Sequence, residues 1–598
     1  MNFFLSDKTD LSAHYLYSNV LQELKTQLYN RYILENDFFT RNATTNNEPL
    51  EQNHMATVKL QQKIDSTQEL RLNFRYKHRN EARSRKENNR LFNTEGELTN
   101  QLDQEQTSQE QDNIIATSLY YQKKLKKKGR ALWLNGAFAH QDQRRDWEIF
   151  SETKLYEQQQ LTTRDTLAQT QMKQNGEQVY GLKVAYLEPL SKLVDWEWNA
   201  AAGWHLENLN QKTKDWIEDQ ATTNELLSDQ YRKEYNYQRL MTKLDIDSKD
   251  KKKGVKYSIA AGVQRSQLKG FLFSNNQEIN QSYLFPVIKG SLNANTPKLG
   301  QLRLRYETTI KEPRIDQLQP LLNNQNPLYL RLGNPNLVPA FQHAVSFYNF
   351  RWDGAKDVNY YLSIGANLTQ NAIVSTQRVD EELRTITQPI NFGNNYRIYG
   401  TGNYSSVFKK VLKYTLNANV SWNQRPTFIN DLESKSNTQN YGFSLSLRNA
   451  KTKIVDASIR AKVSYLYNII ENNNSLNGAT FNHSYRTKIK VTIAKRWNVS
   501  TNFDFQVFDD LNYQEQYQLA LWSAEISVLL LKDKSIKLIL RGENLLNQQF
   551  MVNRRFLPNG VIENRTNLLG RFVLLSMSYK INKMGKKENP MDQIIFLD

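Results

Sequence analysis

The chain has 598 residues, of which 39% are hydrophobic, 11% aromatic and 23% charged, with a formal net charge of +18. It has no cysteine, which excludes disulfide scaffolds, thiolate metal sites and cysteine nucleophiles, and fits an oxidising compartment. Its 31 Tyr, 26 Phe and 10 Trp exclude a disordered chain, and no run of ~18 apolar residues encodes a helical membrane span.

Met1 to Asp10 reads MNFFLSDKTD, without the basic, apolar and small-residue regions of a signal peptide. The chain is therefore expected either to be cytoplasmic or to begin downstream of its signal. Met1–Leu5 looks like the tail of a strand, and helical spacing shows weakly in Val20–Leu34. Beyond this the dominant signal is strict alternation. Trp196, Trp198, Ala200, Ala202, Trp204 and Leu206 alternate with Glu197, Asn199, Ala201, Gly203 and His205. The same period of two runs through Val358–Leu368, Leu412–Trp422, Val455–Tyr465 and Val573–Ile581. A period of two makes a β-strand with one apolar face. These runs last about 10–14 residues, longer than the ~5–6 of soluble strands and matched to a tilted bilayer crossing.

Short turns are predicted at Asp65–Thr67, Lys126–Gly129, Leu190–Leu193, Ser248–Gly254, Thr296–Gly300, Asp353–Lys356, Lys409–Lys410, Ala450–Lys453, Arg496–Trp497 and Lys532–Ser535. Between them lie long polar stretches, Glu81–Gln111, Gln143–Glu177, Asn208–Gln230, Lys311–Asn336, Arg425–Ser436 and Leu545–Thr566. Short on one side and long on the other predicts an all-β chain: a large antiparallel transmembrane β-barrel of about 22 strands, with short periplasmic turns and long extracellular loops. The barrel should span 1–582, with 583–598 a polar tail. Soluble sandwiches and a repeat solenoid are the competing folds. The strand length, the lack of Pro/Gly-rich linkers and the absence of a fixed sequence period count against both.

The positive charge is dispersed. Arg303, Arg305, Arg486, Lys488 and Lys490 sit on polar strand faces, and Lys123–Lys128 and Lys249–Lys253 fall in turns. A basic lumen or loop rim able to attract anionic ligands or lipid phosphates fits this better than a nucleic-acid arm. No catalytic, cofactor or metal site is predicted. The seven histidines are scattered, there is no phosphate loop or nucleophile elbow, and Gly400-Thr-Gly402 opens no helix. Asp245, Asp247 and Asp250 lack the Gly and Glu of a calcium loop and read as a turn.

The segment Glu312-Pro313-Arg314-Ile315-Asp316-Gln317-Leu318-Gln319-Pro320, with Asn326-Pro327-Leu328-Tyr329 and Gly333-Asn334-Pro335-Asn336-Leu337-Val338-Pro339, resembles the mid-barrel signature of TonB-dependent outer-membrane receptors. It resembles most the outer membrane β-barrel branch that usually carries a carboxypeptidase-regulatory-like domain. Gly542-Glu543-Asn544-Leu545-Leu546-Asn547-Gln548 resembles that family's penultimate-strand motif. Ala340 stands where the signature commonly continues with Glu, and the family's signal peptide, TonB box and plug do not precede the barrel in this chain. The resemblance implies uptake of a scarce nutrient across the cell outer membrane. Its implied partners are outer-membrane lipid, the TonB complex acting only through the missing plug, and an unidentified small-molecule, oligosaccharide or peptide ligand. A surface lipoprotein stays open as a partner. A passive pore or structural barrel is the alternative.

Five of the thirteen prolines fall in Lys311–Ala340. Proline lacks the donor a central strand needs, so this stretch is expected to be an external loop. Tyr329, Arg331 and Asn334 are its candidate ligand-binding residues, with Arg331 suited to pair with a carboxylate or phosphate. A loop that merely packs over the barrel mouth is the competing reading.

Overall fold

A strand in lipid must find every backbone partner in neighbouring strands, so alternating segments of this length are forced into one closed sheet. The computed structural model has that form: all its strands belong to a single sheet. It describes residues 2–579 except 7, 35–36, 249–253, 275, 327, 381–383, 430–431, 450–453, 472–476, 511–514, 532 and 558–559. The expected tail 583–598, Asp250 with its flanking lysines, and Pro327 lie outside the described residues.

β1 (Asn2–Ser6), β2 (Thr9–Leu21) and β3 (Leu24–Leu34) lead into β4 (Asp37–Lys63), β5 (Gln68–Phe92), β6 (Leu98–Lys124), β7 (Ala131–Glu157), β8 (Gln160–Pro189) and β9 (Val194–Ile217). A short β10 (Gln220–Thr223) is followed by β11 (Asp229–Asp247), β12 (Val255–Leu272), β13 (Gln277–Thr296) and β14 (Gly300–Lys311). One helical turn, α1 (Ile315–Leu318), and β15 (Tyr329–Arg331) precede β16 (Ala340–Asp353) and β17 (Val358–Gln370). β18 (Ile373–Val379) and β19 (Thr385–Asn391) form an inserted hairpin. The wall resumes with β20 (Asn394–Phe408), β21 (Leu412–Ile429), β22 (Leu432–Asn449), β23 (Val455–Ile470), β24 (Gly478–Ile493), β25 (Trp497–Asp510), β26 (Glu515–Leu530) and β27 (Ile536–Glu543). It ends in β28 (Phe550–Leu557), β29 (Gly560–Asn567) and β30 (Phe572–Tyr579). With β2–β3, β27–β28 and β29–β30 taken as interrupted strands, the described residues make twenty-two wall crossings, as expected.

The last strand meets the first through β29 and β3, paired antiparallel from Gly560↔Tyr32 to Thr566↔Thr26. Nearer the short-turn end, β30 pairs with β27 alone among the described residues, while β1 takes the edge of β2 at Thr9–Ser12. The closing pair is thus hydrogen-bonded in its outer half, among the described residues. The weak helical spacing of Val20–Leu34 is overridden: this segment is β2 and β3, paired along β4.

Short turns stand between β4 and β5, β6 and β7, and β8 and β9 where predicted. At the other end the expected polar loops are instead mostly continuations of the strands. β7 and β8 run on for 27 and 30 residues. Only Gln158 and Gln159 join them, both with positive φ, as a tight hairpin turn requires. These extensions mix polar and apolar residues without a sustained period of two, so alternation does not announce them in the sequence.

Alternation places one apolar set outward. Leu240, Ile259, Leu284 and Leu575 are 64%, 64%, 71% and 77% exposed, which a chain in water would not leave uncovered. On β9 the outward Trp198 and Trp204 bracket Ala200 and Ala202, as aromatic girdles bracket a lipid band. On the inner face, large side chains lie over glycines of the next strand. Tyr237 is the direct partner of Gly203, and Tyr399 of Gly365; a Cβ at either glycine would overlap the ring. Gly365→Val should displace Tyr399 and lower the unfolding free energy by about 1–3 kcal/mol. Gly176→Ala, where a Cβ meets nothing within 4 Å, should be close to neutral. Urea unfolding of the barrel in lipid vesicles measures both.

Candidate functional site

The proline-rich stretch cannot join the wall, yet it carries Ile315, Leu318, Leu328 and Leu337, which must be buried. The inner surface of the barrel offers the cover. Ile315, Leu318 and Leu337 pack with Leu209, Tyr231, Tyr235, Leu268 and Leu272 of β9, β11 and β12; Leu318 and Leu337 are fully buried. Farther along, Leu328 packs on Phe39, Leu91 and Leu102 of β4, β5 and β6. The segment therefore crosses the lumen to another part of the wall and returns. Gln104 Nε2 donates to the Gln325 carbonyl at 2.8 Å, and Gln171 Nε2 to Asn324 Oδ1 at 3.0 Å.

The return limb is stapled to the inserted hairpin. β15 pairs in parallel with β19 from Tyr329↔Thr385 to Arg331↔Thr387. Asn391 accepts from the Val338 amide at 2.8 Å and donates to the Val338 carbonyl at 3.0 Å. Gly333 passes so close to the Gln319 carbonyl that a Cβ there would collide with it.

The entry limb is held by charge. Glu312 Oε1 lies 2.8 Å from His205 Nδ1, and Glu312 Oε2 lies 3.3 Å from Lys233 Nζ. Lys233, with 1% of its side chain exposed, donates to Glu207 Oε1 at 2.7 Å. His205 Nε2 faces Glu177 at 2.8 Å and Glu207 at 3.0 Å. Three acceptor-only carboxylates thus close around one ammonium and one imidazole, from β8, β9, β11 and the loop.

Beside this cluster is a cavity of about 370 Å³ lined by Arg145, Lys173, Asn175, Glu177, Arg314 and Asp316 among others. Lys173 pairs in register with Gln211, beyond the Trp204 girdle, and burial pushes its ammonium pKa below the ordinary lysine value.

The three residues singled out from sequence occupy different settings in this loop. Tyr329 is half-buried, with the Arg41 guanidinium 4.8 Å from its ring centroid. Asn334 serves the loop itself, donating to the Pro389 carbonyl at 3.0 Å and accepting from the Asn336 amide at 3.0 Å. Arg331 is exposed; its backbone bridges Asn323, and its guanidinium has no partner among the described residues. The sequence reading missed His205, Glu207, Lys233 and Glu177. A signal was present: charged residues recur at inward positions such as His205, whose neighbours Trp204 and Leu206 face outward.

The model of the outer membrane protein beta-barrel family matches residues 123–438, more than half of the chain. The chain belongs to this family. As an outer membrane protein beta-barrel it resides in the cell outer membrane, and the short turns are its periplasmic side. It is similar to the copper transporter OprC at 9% identity, covering 92% of this chain and 81% of that one with a TM-score of 0.45. It is also similar to the outer membrane transporter YddB from Escherichia coli, at 11% identity, 96% and 76% coverage and a TM-score of 0.43. The siderophore receptor PirA from Pseudomonas aeruginosa matches at 12% identity, 93% and 81% coverage and a TM-score of 0.33. No curated protein matches the chain.

Removing one member of a buried ion cluster strands the others. Lys233→Met should destabilise the folded barrel by about 3–5 kcal/mol. Lys233→Met with Glu312→Gln should cost less than the sum of the singles, by about 0.5–3 kcal/mol. A double-mutant cycle in urea tests the coupling.

Proposed function

We propose that the protein is the barrel of a TonB-dependent receptor that takes up a scarce nutrient across the outer membrane. The observation that carries this reading is the Glu312–Pro339 segment. It bears the receptor-like motif, crosses the lumen at the outer end, and is tied to the wall by an ion cluster, two apolar contacts and the β19 pairing. A pore needs no such partition, whereas a receptor needs a fixed surface facing the outside.

On this reading a ligand settles on the outer surface of the partition. Arg331 supplies the cation for an anionic group of the ligand, Tyr329 a braced aromatic face, and Asn334 holds the turn that sets their spacing. The ligand then passes inward when TonB moves a plug seated in the lumen. No bond of the ligand is broken, so the protein acts as a carrier and not as an enzyme.

The test is a growth screen of the host on limiting iron chelates, cobalamin, oligosaccharides and peptides. Deleting this gene should abolish use of one of them, and deleting TonB should abolish the same use. Restoring the gene with Arg331→Ala should raise the half-saturating ligand concentration about tenfold at unchanged surface abundance. Growth that depends on the gene and not on TonB would overturn the coupling and leave a passive pore.

A further inference from the structure

β13 outruns its neighbour on one side. It pairs with β12 from Gln277 to Ala294, but with β14 only from Lys289 to Thr296. Beyond that, β14 stays with β16 up to Lys311, and the chain then enters the partition at Glu312. The outer half of β13 is therefore left as a strand edge beside the shorter β14 and β16.

Two residues show which backbone groups point to that edge. The Ile288 amide donates to Thr308 Oγ1 of β14 at 2.9 Å, and Pro286 has no amide to give. Proline is tolerated in a strand only where the missing donor faces away from the ladder. Residues two apart share an edge, so Glu278, Asn280, Ser282 and Leu284 also turn their amides and carbonyls away from β12. These eight groups have no partner among the described residues, and all four residues are exposed. Ser282 stands in register with the girdle residue Trp204 through Gln267 and Asn236, so the edge runs outward from the membrane boundary. Strand edges are ordinarily guarded by lysine, proline or a covering segment. On this one Glu278 is the single charge between Glu278 and Leu284, and Pro286 stands only at its foot. The fold does cover a comparable edge elsewhere: β21 rises past β20 at Gln424, and β18 pairs with it at Phe428 and Ile429.

The inner side of the edge is aromatic. The rings of Tyr283 and Phe285 stack at 5.8 Å, and Phe285 stacks on Phe341 of β16 at 5.6 Å. Tyr283 also packs on the Ile315 and Leu318 cluster of the partition. The edge thus begins at the partition and extends outward from it, and a plug in the lumen beneath leaves it free. A second copy cannot supply the missing strand. Two copies in one membrane are related by an axis along its normal, which makes their tilted β13 edges cross instead of running side by side.

On the receptor reading given above, we propose that the ligand is an extended peptide, which docks as an added strand on the β13 edge from Glu278 to Leu284. Donor and acceptor pairs that recur every ~6.8 Å along a line match a polypeptide backbone, and no chelate or sugar repeats them. In strand addition the backbone supplies affinity and alternate side chains supply specificity. Here the inward side chains of the peptide fall beside Tyr283 and Phe285, which favours apolar or aromatic residues at every second position.

The probe is a fluorescein-labelled peptide of seven alternating threonines and valines with a lysine at each end. Its anisotropy should rise saturably with the detergent-folded full chain. The same peptide methylated on every backbone amide should not bind, although it is the more apolar of the two. Asn280→Pro with Ser282→Pro removes amides from the free edge and none from the β12 ladder, and should weaken binding about tenfold or more. Asn280→Gln with Ser282→Thr should keep it. Electrophoretic heat-modifiability checks that each variant is a folded barrel; should the proline variant fail that check, the methylated peptide against the parent chain decides. No saturable binding, equal binding of the methylated peptide, or a folded proline variant of unchanged affinity would overturn the proposal. None of these measurements involves TonB. Absent binding with TonB-dependent growth intact removes the peptide and keeps the uptake, whereas binding with TonB-independent growth keeps the site and removes the coupling.

Discussion

Everything in this molecule follows from one requirement: a peptide group in hydrocarbon must be hydrogen-bonded to another peptide group. That requirement turns an alternating sequence into a wall. It sends apolar side chains outward and leaves the polar ones to line an interior. It also decides where irregular backbone is allowed. The proline-rich segment and the β18–β19 hairpin lie inside the barrel, where Asn391 satisfies the Val338 amide and carbonyl and Gln104 the Gln325 carbonyl. On the lipid face the same segment would leave those groups bare.

The partition is held by two kinds of force with different tolerances. The apolar contacts of Leu318, Leu328 and Leu337 are non-directional and fix where the segment lies. The Glu312 cluster is directional and fixes how it enters, because a carboxylate between His205 and Lys233 has one good position. Buried ion clusters are weak sources of net stability, since each ion gives up its water, but they penalise every misplaced arrangement heavily. Gly333 adds a third condition, a backbone crossing that admits no side chain. Together these tie the segment to β9, β11 and β19 at once.

The wall was largely legible in the sequence because its signal is local and has a period of two. The segments Trp196–Leu206, Leu412–Trp422 and Val455–Tyr465 read correctly, and the strand number followed. The strand extensions beyond the membrane were not legible. Around Gln143–Glu177 polar residues dominate, and the apolar ones, Trp147, Ile149, Phe150, Leu161 and Met172 among them, keep no sustained period of two. The partition was legible as a loop through its prolines, but its inward course was not. That course depends on contacts hundreds of residues apart, such as Gln104 with Gln325. The ion cluster was hidden for the same reason: register sets Lys233 opposite Glu207 and beside His205, the loop brings Glu312 to them, and no linear spacing links the four.

The strands differ greatly in length around the circumference. β8 has 30 residues and β14 has 12. At ~3.3 Å per residue those eighteen extra residues add roughly 60 Å along the strand, somewhat less in height once the ~40° tilt is allowed for. The rim is therefore a tall palisade over β4–β9 that drops to a low sill at β14–β17. A bulky molecule diffusing over the cell surface meets a backstop on one side and an open doorstep on the other. For such a molecule the partition is open sideways, across the sill.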